Sequence, residues 1–257
     1  KYCAMGRPAL CDVAARATIT LPDGTSRITD STGAPLNHFA GVSVMAEYAT
    51  MHRDNIIQID PEIPAAAAAL VGCAVMTGTG AVLNTARIAA GESVAIFGLG
   101  GVGLCGVMGA KASGAETIIA IDLTEAKRDK ALELGATHAF DATDPELASK
   151  VADLTGGGVD VAVELAGAVK AMESAYAVLR RGGRLVTAGL SPMGAQFSFE
   201  HGDLVSNEKA VIGSYMGSCV PVRDIPRFLK MYHSGALPVD KLIDGYLGFE
   251  DMNAGFD

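Results

Sequence analysis

The chain has no tryptophan, and its aromatic residues make up only 5% of 257 positions. It therefore lacks the aromatic platform on which single-stranded nucleic acid stacks. Positive charge is also scarce: 20 Lys and Arg face 29 Asp and Glu, a formal net charge of −9. No basic stripe interrupts that balance, which argues against nucleic acid, since phosphate-backbone binding depends on clustered cations. Cysteine is sparse and odd in number, at Cys3, Cys11, Cys73, Cys105 and Cys219. Such a set suits reduced thiols or metal ligation better than a disulfide framework. Gly, polar or charged residues interrupt the apolar runs, so no membrane span is expected. The chain opens Lys-Tyr-Cys, with neither an initiator Met nor the apolar core of a signal peptide, and the cytoplasm is the default expectation.

What the chain does have is small and apolar residues. Hydrophobic residues reach 49%, and there are 31 glycines. That composition suits a parallel α/β protein with close helix–sheet contacts. One stretch organises the reading: Val94-Ala-Ile-Phe-Gly-Leu-Gly-Gly-Val-Gly103. It reads as a short strand, a glycine turn and the start of a helix. Gly98, Gly100 and Gly103 fill the three glycine positions of G-x-G-x-x-G, with Gly101 between. These positions serve a tight turn, close approach to a pyrophosphate, and close helix–strand packing. The helix N-terminus then offers unpaired N–H groups to a diphosphate.

A second strand, Thr117–Asp122, ends in a carboxylate about twenty residues past the turn, where a ribose-binding acid is required. Asp122 accepts from both ribose hydroxyls of an adenosine in this reading. Leu123, Thr124 and Glu125 follow it with no adjacent cation, which favours NAD over NADP. Lys127 is placed to reach the same ribose.

Around this unit the alternation is regular. Strands are expected near Ser93–Phe97, Thr117–Ile121, His138–Phe140, Val159–Glu164, Gly183–Ala188 and Ala210–Tyr215. Helices are expected near Gly101–Ser113, Glu125–Leu134, Pro145–Asp153, Val169–Leu179 and Asp224–His233. The fold class is α/β, a doubly wound, parallel, six-stranded Rossmann sheet. Gly167, Ala188 and Gly189 end later strands on the ligand-binding edge. Glu164 ends a buried strand and reads equally as a site residue or a helix cap. Upstream, strands are expected at Ala17–Leu21, Gly41–Met51 and Asn55–Asp60. A helix follows from Pro61 to Leu70, is broken at Gly72–Gly80, and resumes at Ala81–Ile88. The tail from Leu242 reads as strand, turn and short helix. Composition shifts near residue 74, which is taken as a domain boundary.

Taken singly, Cys73 reads either as a zinc thiolate or as a small residue at a helix end. Cys3, Cys73 and Gly98–Gly103 together resemble the zinc-dependent, medium-chain alcohol dehydrogenases. Cys3–Cys11 is similar to the second half of that family's four-cysteine zinc lobe. Gly72-Cys73 with Thr77-Gly78 resembles the segment carrying its third catalytic-zinc ligand and the turn beneath the nicotinamide. Phe97–Gly103, Asp122 and Lys127 resemble its NAD site, and Phe249–Asp257 its C-terminal pattern.

The resemblance implies NAD and zinc as cofactors and an alcohol or aldehyde as substrate. Hydride passes to nicotinamide while zinc polarises the oxygen. Cys73 is the implied catalytic-zinc ligand, Cys3 and Cys11 half of a structural zinc site, and Thr77 and Val102 walls for the nicotinamide. Residues 1–74 are then part of a mostly β catalytic domain, 75–216 the NAD domain, and 217–257 a return segment. A homodimer or homotetramer is implied through the last strand. The remaining zinc ligands of the family have no match here, so a fragment without activity of its own is expected. The rivals are a zinc-free quinone or enoyl-type reductase of the same superfamily and a non-catalytic nucleotide-binding module, including a methyltransferase-like one.

Overall fold

The computed structural model describes residues 1–12, 20–21, 23–38, 41–42 and 45–255. Its centre is a six-stranded sheet: β1 (Ser93–Phe97), β2 (Thr117–Asp122), β3 (His138–Asp141), β4 (Val159–Glu164), β5 (Leu179–Thr187) and β6 (Ala210–Gly213). The order is β3-β2-β1-β4-β5-β6 and every pairing is parallel. The Rossmann expectation is met. Strand order reverses between β1 and β4, which places a ligand crevice beyond their C-terminal ends.

Alternating side chains of β1 feed two separate cores. Val94 and Ile96 join one cluster, Ala95 and Phe97 the other. Burial on both faces is what makes these strands nearly continuous in Val, Ile and Ala. The first face carries α1 (Ala65–Ala86), α2 (Gly101–Ala112), α3 (Glu125–Leu134) and, past β6, α7 (Pro221–His233). The second carries α4 (Leu147–Thr155) and α5 (Val169–Ala177). A six-residue helix, α6 (His201–Ser206), was not anticipated. It is too short to show a periodic apolar stripe. Asp224 ties down the start of α7: fully buried, it accepts from Val220 N at 2.7 Å and pairs with Arg223 at 2.8 Å.

The structure departs from the sequence reading upstream of the sheet. Helix α1 is not broken at Gly72–Gly80 but runs through it, with two π-turns at Val71–Val75 and Ala81–Ala86. The glycines there are packing devices. A Cβ on Gly78 would overlap Val102 O, and one on Gly80 would come within 2.6 Å of Cys219 Sγ. This 22-residue helix, with mean hydropathy 1.8, is long and apolar enough by composition to cross a membrane, contrary to expectation. Half of its most apolar 18-residue window is buried inside the protein.

No strand forms at Asn55–Asp60, which is a short 3-10 turn at Arg53–Asn55 followed by unpaired chain. The described parts of the other two upstream strands are also irregular, while residues 17–19 and 43–44 lie outside the described residues. One isolated antiparallel bridge, Thr29 to Pro35, is present. The tail forms 3-10 turns at Val239–Leu242 and Phe249–Gly255 rather than a strand, with residues 256–257 outside the description. Alternation alone does not make a strand. A partner must be alongside.

The α1–α2 contact generates a prediction. Gly78→Ala should lower unfolding free energy by about 1–3 kcal/mol, the usual range for overpacking, despite alanine's better helix propensity. Urea denaturation of the pair of proteins measures it.

Candidate cofactor site

Chain direction changes sharply at the end of β1. Gly98 has φ +85°, and its N–H donates to Ile121 O at 2.9 Å. A side chain there would meet Ala166 Cβ at 2.7 Å, and one at Gly103 would overlap Gly98 O. Gly100 has nothing within 4 Å of where a Cβ would be, so that side of the turn is open. The first i→i−4 bond of α2 is Leu104 N to Gly100 O at 2.9 Å. The N–H groups of Gly101, Val102 and Gly103 thus precede the helical ladder, as expected of an anion-binding helix start.

Asp122, half-buried at the end of β2, is coupled directly to this turn. Its Oδ2 accepts from Leu99 N at 2.7 Å and its Oδ1 from Thr124 N at 2.9 Å. Arg128 holds the same residue's carbonyl at 2.8 Å and pairs with Asp141 at 3.0 Å. Each carboxylate oxygen keeps a further lone pair for a hydroxyl. A recess of about 290 Å3 opens beside it, lined by Gly98, Asp122, Lys127, Ala142, Ala166 and Lys170. Lys170 was missed from sequence, since only the crossover brings the start of α5 to β2.

Thr77 and Val102 lie on the other flank of the turn. Gly78 packs on Val102 O, and Gly101 faces Ala74 at 4.0 Å. Cys73 is exposed and one helical turn before Thr77, so the two share a face of α1. Ala188 and Gly189 do not line the Asp122 recess. They belong to a second cleft of about 360 Å3, shared with Thr187, Gly213 and Ser214 at the ends of β5 and β6.

Burial pushes the Cys105 thiol up to about 12, and the neighbouring Cys73 adds to the shift. Burial does the same to Cys219, reinforced by Asp224. Cys3 and Cys11 come together as a hydrogen-bonded thiol pair, which raises the Cys3 pKa above the ordinary thiol value. A closed zinc site takes four ligands. Among the described residues no three His, Cys, Asp or Glu side chains gather, so the residues described do not complete a zinc site. For NAD the fit is better. The glycine cradle, the acid at β2 and the open side at Gly100 are all in register.

Comparison with known proteins shows the family. The family model for zinc-binding dehydrogenases matches residues 101–234. The NDMA-dependent alcohol dehydrogenase of Amycolatopsis methanolica is 36% identical over 263 residues, covering 100% of this chain and 70% of that protein. This chain belongs to the zinc-binding dehydrogenase family. An alcohol dehydrogenase zinc-binding domain protein from Burkholderia ambifaria superposes with a TM-score of 0.91 at 32% identity, covering 99% of this chain and 70% of that one. A Sinorhizobium meliloti chain solved with NADP bound has a TM-score of 0.79 at 25% identity, covering 98% and 67%. Membership makes this dehydrogenase an oxidoreductase, as the sequence reading expected.

The thiol environments predict a labelling pattern. At pH 8, Cys105 and Cys219 of the native dehydrogenase stay protonated and resist iodoacetamide, since the thiolate is the nucleophile, while exposed Cys73 is alkylated. Peptide mass spectrometry should show Cys105 and Cys219 labelled only after unfolding; equal native labelling of Cys73 and Cys105 would contradict the geometry.

Proposed function

We propose that this chain carries the NAD-binding half of an alcohol dehydrogenase acting on primary or secondary alcohols. The observation that carries the reading is the 2.7 Å bond from Leu99 N to Asp122, which makes turn and ribose acid one unit beside the recess. In this reading Asp122 accepts from the adenosine ribose hydroxyls and Lys127 flanks them. The amides at Gly100, Gly101 and Val102 meet the diphosphate. Thr77 and Val102 wall the nicotinamide end, with Ala188 and Gly189 at the far side of the crevice. NAD, when bound, supplies the acceptor for a hydride leaving the carbinol carbon. In this reading Cys73 is a zinc ligand, as the family resemblance implies, but one thiol does not complete a zinc site. The chain by itself is therefore expected to bind NAD without turning alcohol over, and zinc-dependent oxidation by it would overturn that expectation.

NADP is the second reading, favoured by Lys127 and Lys170 on the recess wall and by the Sinorhizobium meliloti structure. Against it stands the Asp122 carboxylate, which would repel a 2′-phosphate.

A ligand bound only by the native state raises thermal stability, by about 2.7 kcal/mol at a hundred times its Kd. NAD+ should raise the melting temperature, NADP+ less, and S-adenosylmethionine not at all. Asp122→Ala should weaken NAD+ about tenfold, the loss expected for hydrogen bonds to a charged group, as measured by calorimetry. A shift with S-adenosylmethionine alone would instead favour the methyltransferase-like module.

A further inference from the structure

Glu164 is not a helix cap. Helix α5 begins at Val169 with Ala168 as its N-cap. The Glu164 side chain is 2% exposed, at the end of a strand otherwise rich in valine and alanine. Neutral donors surround its carboxylate. Oε1 accepts from Ala166 N at 2.8 Å and Gly167 N at 2.6 Å, and Oε2 from Thr187 Oγ1 at 2.7 Å. Its backbone carbonyl accepts from Ala188 N at 3.0 Å and Gly189 N at 3.3 Å. One residue of β4 thus holds both the segment that follows it and the end of β5.

Those two segments wall the two recesses. Ala166 lines the Asp122 recess and abuts Gly98. Ala188 and Gly189 line the second cleft. A Cβ on Gly189 would overlap Gly167 N and come within 2.8 Å of Glu164 Oε2, so the two segments meet at the carboxylate itself. Burying a carboxylate against neutral donors is costly, and a well-packed apolar residue would often serve stability better. The strand that carries Glu164, β4, borders the crevice at the reversal of strand order.

We propose that Glu164 is a positioning residue for a dinucleotide. It sets the separation between the Gly98 turn and Ala188–Gly189 so that one ligand spans both recesses. The proposal rests on the NAD reading. Adenosine monophosphate reaches only the Asp122 side and is nearly indifferent to the clamp, whereas NAD+ has to cross to β5.

The test measures NAD+ and AMP binding to the 257-residue chain by calorimetry, for Glu164→Leu, Glu164→Gln and Thr187→Val. Leucine occupies a similar volume but accepts nothing, glutamine keeps a carbonyl for the two backbone N–H groups, and valine removes only the Oε2 partner. Glu164→Leu should raise the NAD+ Kd about tenfold or more and the AMP Kd less than about threefold, the first being the lower end of losses from outer-shell hydrogen bonds. Glu164→Gln should recover most of the NAD+ affinity. Equal weakening of both ligands means a merely structural role and overturns the proposal, as does no change in either. If Glu164→Leu does not fold, Thr187→Val must show the same asymmetry between ligands, and a symmetric or absent effect overturns the clamp. A wild-type chain that binds AMP but not NAD+ overturns the cofactor reading and the clamp together. Normal NAD+ binding with no asymmetry among the variants overturns the clamp alone.

Discussion

Backbones approach one another around the start of α2 more closely than side chains permit. Gly103 lies on the carbonyl of Gly98, Gly78 on the carbonyl of Val102, and Gly98 against Ala166. Helix α2 is thereby lodged between β1, α1 and the β4–α5 turn, and eight of its twelve residues are buried. The near side of the crevice is built on that seat. The amides that precede the helical ladder, the face of α1 carrying Cys73 and Thr77, and the wall at Ala166 all take their positions from it. Interiors packed at this density transmit displacement rather than absorb it.

Two carboxylates then finish the C-terminal edge of the sheet in opposite ways. Asp122 gives one hydrogen bond's worth of each oxygen to the backbone and keeps the rest toward an open recess. Glu164 is closed in by Ala166, Gly167 and Thr187. The first keeps its remaining lone pairs toward a recess, and the second joins the segment after β4 to the end of β5. They sit on strands either side of β1, one before the reversal of strand order and one after it.

The glycine turn, β1, β2 and Asp122 were legible because their signals are local: an apolar run, three glycines at fixed spacing, and an acid ending the next strand. The same local rules misjudged Gly72–Gly80. Glycine in a helical pattern reads as a break, yet here the absent side chains are what let α1 lie on α2, a fact held only in the contact. The strand expected at Asn55–Asp60 failed for a similar reason. Its pattern suits a sheet, but among the described residues no strand pairs with it, and a strand's stability resides in its neighbours. Lys170 at the recess wall, and the contacts of Glu164 with Thr187 and Ala188, were out of reach because each depends on an element more than twenty residues away in sequence.

By itself the sequence determined the fold and its most telling local arrangement: a glycine turn after β1, an acid ending β2, and a doubly wound sheet to carry them. Those follow from backbone sterics and side-chain period, which operate over a few residues. Only the tertiary structure decided which residues share a recess. It grouped Asp122 with Lys127, Ala166 and Lys170, sent Ala188 and Gly189 to a neighbouring cleft, and paired Cys3 with Cys11 while leaving Cys73 beside Cys105. Parallel crossovers bring distant segments to one edge, and where they meet is set by how closely the helices between them can pack.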